Sequence, residues 1–311
     1  MLYSTEKSIL QEINLKSLQE RNVRLLIKRD DLIDQDVSGN KWRKLKFNVE
    51  QANFQKREGI LTFGGAFSNH LVATAAACYR ANIKSVGIVR GDELNENSNE
   101  SLKQCAKFGM QLVFVPRSQY DLRYERIYKE ELSQQFPNYY HVPEGGANFY
   151  GMMGCQEILD EISEDFQHVF VAQGTTTTSC GILMGLKENV KLHVVPVLKN
   201  YDSNAEMRQL LNYSIFDEEL TDELMGRVVV HADSHFGGYA KYTKELLAFI
   251  QDFYKQTQIP LDPIYTSKVM FTFFEELEKG GLDNQTVLFI HTGGLQGAQK
   301  IQEKEGIALY V

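Results

Sequence analysis

Short apolar runs alternate along this chain with longer stretches whose apolar residues recur at three- and four-residue intervals. RLLIK (24–28), GILTF (59–63), SVGIV (85–89), QLVFV (111–115), HVFVAQ (168–173), LHVVPV (192–197), RVVVHA (227–232) and VLFIHT (287–292) are rich in β-branched or aromatic residues and predict strands. Between them the pattern predicts helices at 41–57, 69–81, 98–108, 121–136, 151–163, 179–187, 204–212, 238–256 and 266–279. Such alternation predicts βαβ units: an α/β protein whose sheet is mostly parallel and flanked by helices. Ligands of such sheets sit beyond the carboxyl ends of the strands. The loops that follow strands are therefore where chemistry is sought.

Four of these loops stand out. In DVSGNKWRKLKF, Ser38-Gly39-Asn40 forms a turn into a helix that begins near Lys41. Trp42, Leu45, Val49 and Ala52 mark its apolar face, which leaves Arg43, Lys44 and Lys46 to be read as a solvated basic face. Lys41 differs, because a cation at a helix N-terminus is disfavoured by the helix dipole and a neutral amine becomes more accessible. A neutral lysine at a sheet's carboxyl edge can form a Schiff base. In FGGAFSNHLVATAAAC, Ser68 or Asn69 opens an Ala-rich helix, whose exposed amides suit a carboxylate. In GTTTTSCGILMGL, Gly174, Thr175, Thr176, Thr177 and Thr178 precede a small-residue helix. This is neither a Walker A loop nor G-x-G-x-x-G, yet consecutive hydroxyls and amides at a helix start suit a phosphate ester. The fourth region is C-terminal, where Tyr265-Thr266-Ser267 opens a helix and a strand ends at His291-Thr292-Gly293-Gly294.

Composition narrows the classes. The 311 residues are 43% hydrophobic and 24% charged, ordinary for a globular protein of one large α/β unit or two lobes. A net charge of −8, from 33 basic and 41 acidic residues, argues against a general nucleic-acid binder. The N-terminal stretch lacks the apolar core of a signal peptide, and no run reaches the roughly 18–20 apolar residues that span a bilayer. Cys78, Cys105, Cys155 and Cys180 form no C-x-x-C pair and are read as reduced thiols of a cytoplasmic protein.

Taken as a set, SGNKWRKLKF, FGGAFSNHLVATAAAC, GTTTTSCGILMGL, LDPIYTSK and FIHTGG resemble the 1-aminocyclopropane-1-carboxylate deaminase / D-cysteine desulfhydrase family. These are fold type II, tryptophan synthase β-like enzymes that use pyridoxal 5′-phosphate. The resemblance runs from about Lys28 to about Gly294. It implies two open twisted mostly parallel sheets flanked by helices. It also implies a larger cofactor-binding domain from 1–43 plus 149–311, a smaller α/β domain from 44–148, an active site in the cleft between them, and a homodimer. Lys41 is then the Schiff-base lysine and the base at Cα. Ser68 and Asn69, with His70, meet the substrate, and Asn69 also holds the 3′-oxygen of the cofactor. Gly174 to Thr178 hold the phosphate. Tyr265 is the active-site tyrosine, Tyr239 in HFGGYAK matches a second one, and Thr292 meets the pyridine nitrogen.

The implied reaction is α,β-elimination of a small amino acid such as D-cysteine to pyruvate and ammonia, with deaminase activity on the cyclopropane as the alternative. The deaminases carry Glu where this chain has Thr266, and an apolar residue where it has Thr292. Both departures favour the desulfhydrase. Thr176 and Ser267 stand where relatives have small residues or glycine. Two other classes compete. One is a metal-dependent hydrolase built on His231, Asp233, His235 and His291, which lack zinc-like spacing. The other is a non-catalytic pyridoxal-phosphate binding protein.

Overall fold

The computed structural model describes residues 4–311. Among them run ten strands: β1 (Leu10–Ile13), β2 (Arg24–Lys28), β3 (Gly59–Gly65), β4 (Lys84–Arg90), β5 (Gln111–Val115), β6 (Tyr139–His141), β7 (His168–Gln173), β8 (Lys191–Pro196), β9 (Val228–Val230) and β10 (Thr286–Ile290). They form two sheets, in two compact units.

The smaller unit comprises Ser4 and residues 34–37 and 41–154. Its four-stranded sheet has the order β5-β4-β3-β6 and is parallel throughout. Both faces are covered, so β3 and β4 are apolar along nearly their whole length. Leu61, Phe63, Val86 and Ile88 pack on Tyr120, Tyr128 and Leu132. Val89 packs on Leu71, Val72 and Ala75 of the Asn69–Arg80 helix. The chain leaves β3 for β4 on one side, while β6 returns to the other side. The loop after β3 therefore lies at the point where strand order reverses, where open parallel sheets bind ligands.

The larger unit comprises residues 5–33, 38–40 and 155–311. Its sheet has the order β1-β2-β10-β7-β8-β9, with only β1 antiparallel. Phe170 and Phe289, on neighbouring strands, share a core with Phe273 and Met270 of the Thr266–Glu278 helix and Ile250 and Phe253 of the Lys244–Thr257 helix. Each such buried aromatic contributes roughly 1.5–3 kcal/mol. β10 and β7 lie side by side and point the same way, so the loops after Ile290 and Gln173 leave the same sheet edge.

The predicted strands are present, most within a residue or two of their expected ends. RVVVHA is shorter, Val228–Val230 only. Three helical expectations need correction. The stretch predicted at 238–256 becomes helical only at Lys244, because Phe236, Gly237, Gly238 and Ala240 have positive φ and Thr243 caps the start by accepting from the Leu246 N–H. The stretch at 121–136 is broken into Arg117–Asp121, a 3-10 turn and Arg126–Gln135. The Thr-rich helix starts at Thr177, two residues early. Periodicity did not reveal β1, β6 or the polar helices Glu218–Met225 and Gln296–Glu305, whose apolar residues are few.

The basic cluster is also corrected. Arg43 is 0% exposed and Lys44 1%, so neither is part of a solvated face. The Asn40–Phe54 helix is buried on a second side, where Asn48 donates to the Lys44 carbonyl and pairs with Asn148 through its amide. Gly146, without a side chain, lets the Lys44 stem approach. Sequence periodicity follows apolar residues only, and a buried face made of Lys, Arg and Asn is invisible to it.

Candidate active site

In the larger unit, the loops after β7 and β10 and the Ser38–Asn40 turn are joined. The Asn40 N–H donates to the Thr292 carbonyl at 3.2 Å, and Asn40 Nδ2 donates to Thr178 Oγ1 at 2.9 Å. Gly39 has φ +58, and a Cβ there would stand 2.0 Å from the Thr292 carbonyl oxygen, so only glycine permits this approach. The turn thus ties the Thr292 loop to the Thr-rich loop. The next residue in the chain is Lys41.

The Thr-rich loop has the chemistry to receive an anion. Thr176 is the N-cap of the Thr177–Gly185 helix, yet its side chain makes no cap hydrogen bond. The first amides of a helix have no partner within it. Thr176, Thr177, Thr178 and Ser179 are buried. Ser179 is occupied, donating to the Thr176 carbonyl and accepting from Gln173 Nε2. Thr175 Oγ1 and Thr177 Oγ1 are 3.4 Å apart. Amides, threonine hydroxyls and a helix dipole with no acidic residue in its first turn form a donor set that fits a phosphate monoester.

Tyr265 lies over the start of this loop. A Cβ on Gly174 would sit 3.2 Å from Tyr265 Cε1. The Tyr239 ring meets Tyr265 edge-on, with centroids 6.2 Å apart. Tyr265 is placed by Asp262, a carboxylate that is 0% exposed and accepts from the N–H groups of Ile264, Tyr265 and Thr266 and from Thr266 Oγ1. Burial pushes the Asp262 carboxyl up, and these hydrogen bonds oppose the shift. Thr266 Oγ1 also accepts from the Asp262 N–H, so its hydroxyl is committed on both counts. Asp262 was not anticipated; a D-x-x-[YT] run before a helix is the signal that could have found it.

In the smaller unit, Lys41 lies in the first turn of the Asn40–Phe54 helix and Lys44 on the same side, three residues on. Ser68 caps the Asn69–Arg80 helix by accepting from the Leu71 N–H at 3.3 Å, and Asn69 is half-buried beside it. His70 is buried. Thr62 Oγ1 donates to the Val142 carbonyl, so it accepts from His70 Nε2–H at 2.9 Å. His70 Nδ1 is then an acceptor, and it has no hydrogen-bond partner among the described residues. Burial, with Lys41 and Lys44 adding to it, holds the His70 pKa well below the ordinary value, and the ring is neutral.

The histidines weighed for a metal are engaged elsewhere. His231 Nε2 bonds His193, His235 Nδ1 accepts from the Gly237 N–H, and His291 Nε2 bonds the Pro260 carbonyl. Among the described residues, no three His, Cys, Asp or Glu side chains are grouped to hold an ion.

Two mostly parallel sheets flanked by helices, with a hydroxyl-rich loop after one strand and a lysine one residue past the turn pinned to that loop, define a fold type II pyridoxal-phosphate enzyme. The chain belongs to the pyridoxal-phosphate dependent enzyme family, whose model matches residues 9–293, and within it to the 1-aminocyclopropane-1-carboxylate deaminase / D-cysteine desulfhydrase group. A bifunctional D-cysteine desulfhydrase/1-aminocyclopropane-1-carboxylate deaminase of Arabidopsis thaliana, named as mitochondrial, is 31% identical over 298 residues, covering 88% of this chain and 73% of that protein. A D-cysteine desulfhydrase of Serratia proteamaculans is 28% identical over 87% of this chain and 86% of its own length. The crystal structure of an ACC deaminase homologue superimposes with a TM-score of 0.78 at 25% identity, covering 96% of this chain and 92% of that one. The family's cofactor is pyridoxal phosphate. No helix among the described residues is long and apolar enough to cross a membrane.

Proposed function

We propose that this enzyme eliminates the β-substituent of a small amino acid, D-cysteine foremost, to give pyruvate, ammonia and sulfide. The observation that carries the reading is the Asn40 link: the residue bonded to Lys41 donates to Thr178 in the phosphate loop and to the Thr292 carbonyl. A lysine starting there is set to serve the same cofactor as those loops. Pyridoxal phosphate, when bound, supplies the electron sink that makes the substrate Cα–H acidic.

The remaining work falls to side chains. Gly174, Thr175, Thr176, Thr177 and Thr178 hold the phosphate. Lys41 Nζ would hold the cofactor in the resting enzyme and, once displaced by the substrate amine, would be free to take the Cα proton. Ser68 and Asn69 bind the substrate carboxylate at their helix start, with neutral His70 behind them, and Asn69 also meets the 3′-oxygen. Tyr265, with Tyr239, holds the proton delivered to the departing sulfur. The Cα–H and Cβ–S bonds break, and water hydrolyses the released enamine to pyruvate and ammonia. Thr292 offers a neutral hydroxyl to the ring nitrogen. Thr266, which also distinguishes this chain from the deaminases, is spent on Asp262, so the preference for elimination rests on Thr292. Cyclopropane deamination stays the second reading, supported by the likeness to an ACC deaminase homologue.

A homodimer belongs to the proposal, as does the cytoplasm, which suits four buried free thiols. The test is a product assay on the purified protein with D-cysteine, L-cysteine, D-serine and 1-aminocyclopropane-1-carboxylate. Sulfide and pyruvate from D-cysteine, with nothing from the cyclopropane, are expected. Product from the cyclopropane alone would establish the second reading. Bound cofactor with no product from any of the four would leave a binding protein.

A further inference from the structure

Lys268 is 0% exposed, three residues past Tyr265 on the same helix. Its Nζ donates to two carbonyls, His235 at 2.8 Å and Gly238 at 2.9 Å. Both belong to the segment between β9 and the Lys244–Thr257 helix, which has no regular secondary structure apart from turns. Phe236, Gly237, Gly238 and Ala240 all have positive φ there, a backbone that does not hold its own shape. Gly238, at φ +113, directly precedes Tyr239. Tyr239 is 47% exposed, so its own packing does little to place it, yet its ring meets Tyr265 edge-on. Burying an ammonium is costly, and burial lowers the Lys268 pKa to about 8, with Asp262 acting the other way. A buried amine that is kept despite this cost, with both carbonyls drawn from one irregular segment, has a specific task.

We propose that Lys268 is a positioning residue that seats the 235–239 segment, and with it Tyr239, against Tyr265. The start of one helix and the turn before it then mount both tyrosines: Asp262 gathers the amides that fix Tyr265, and Lys268 gathers the carbonyls that fix Tyr239. The inference rests on the proposed role of Tyr239 for its catalytic consequence, while the seating itself does not.

The test uses Lys268→Met in the cofactor-loaded enzyme, alone and combined with Tyr239→Phe. Hydrogen exchange is expected to accelerate at 235–241 and not in the Thr-rich loop, with the cofactor's absorbance retained. kcat should fall by about tenfold or more with KM changed less. In the Tyr239→Phe background the same substitution should add less than about threefold, because both changes remove one contribution. Lys268→Arg should recover part of the loss. Should Lys268→Met fail to fold, Gly238→Ala strains the same anchor from the other side and should give the same exchange signature. Unchanged exchange at 235–241, or a loss that is fully multiplicative with Tyr239→Phe, would overturn the proposal. Activity surviving Lys41→Ala would instead sink the cofactor reading and leave the exchange result standing.

Discussion

Two helices in this chain begin just past the carboxyl ends of parallel strands, and they begin differently. The Asn69–Arg80 helix, after β3, is closed by its own Ser68, whose hydroxyl takes the Leu71 amide. The Thr177–Gly185 helix, after β7, is preceded by a hydroxyl residue too, yet Thr176 makes no cap hydrogen bond. Both helices lack acidic residues in the first turn. One start is stabilised from within. The other has no such side-chain cap, and the stability a cap would add, about 1 kcal/mol, is forgone there. A polar residue before a helix is thus a cap only where its hydroxyl is directed at the first amides.

The largest effect tests whether the second start serves the lysine next to its anchor. Lys41→Ala is expected to lower turnover by at least about a thousandfold and abolish the borohydride-trapped cofactor adduct, read by mass spectrometry. A trapped adduct on another lysine would detach Lys41 from the Thr-rich loop.

A smaller contrast compares the two starts directly. Thr178→Val removes the Asn40 acceptor and one loop hydroxyl. It should weaken pyridoxal-phosphate binding by about 10- to 100-fold, as expected for a hydrogen bond to a charged group. Ser68→Ala should cost about 1 kcal/mol in denaturant unfolding and leave cofactor affinity within about twofold. Titration of the apo-enzyme measures both. Equal losses of affinity would show that the two starts do not differ as described.

The smallest effect concerns the sheet that carries the Thr-rich loop. His168, His193 and His231 are bonded in series at 2.9 Å, with Phe170 of β7 stacked on His193. Burial, then the neighbouring His168 and His231, holds the His193 pKa down to about 3 against an ordinary 6.5. Between those values the unfolded chain binds a proton that the folded chain does not. Stability is therefore full above about pH 6.5 and is lost as pH falls toward 3. In His193→Gln the slope of unfolding free energy against pH in that window should be shallower by up to about 1.4 kcal/mol per pH unit. An unchanged slope would mean His193 is not held neutral.

The strand pattern and the four loops were legible in the sequence because each is local: apolar period, Gly and Thr content, a turn before a helix. The basic cluster was misjudged for the same reason. Arg43, Lys44 and Lys46 read as a solvated face, but Arg43 and Lys44 are buried; Lys44 packs on Gly146 and its helix neighbour Asn48 bonds Asn148, each about a hundred residues away. Thr266 is a parallel case. Its place in the chain suggested a specificity residue, and its hydroxyl proves to be taken by Asp262.

By itself the sequence determined the α/β class, which follows from periodicity, and it pointed to Lys41 through the resemblance of the whole motif set to a known family. Only the tertiary structure decided which partners the hydroxyls meet, which cations are buried, and that Lys268 holds the Tyr239 segment. A hydrogen bond is defined by both partners, and here the second partner is distant in sequence: Thr178 for Asn40, Gly238 for Lys268.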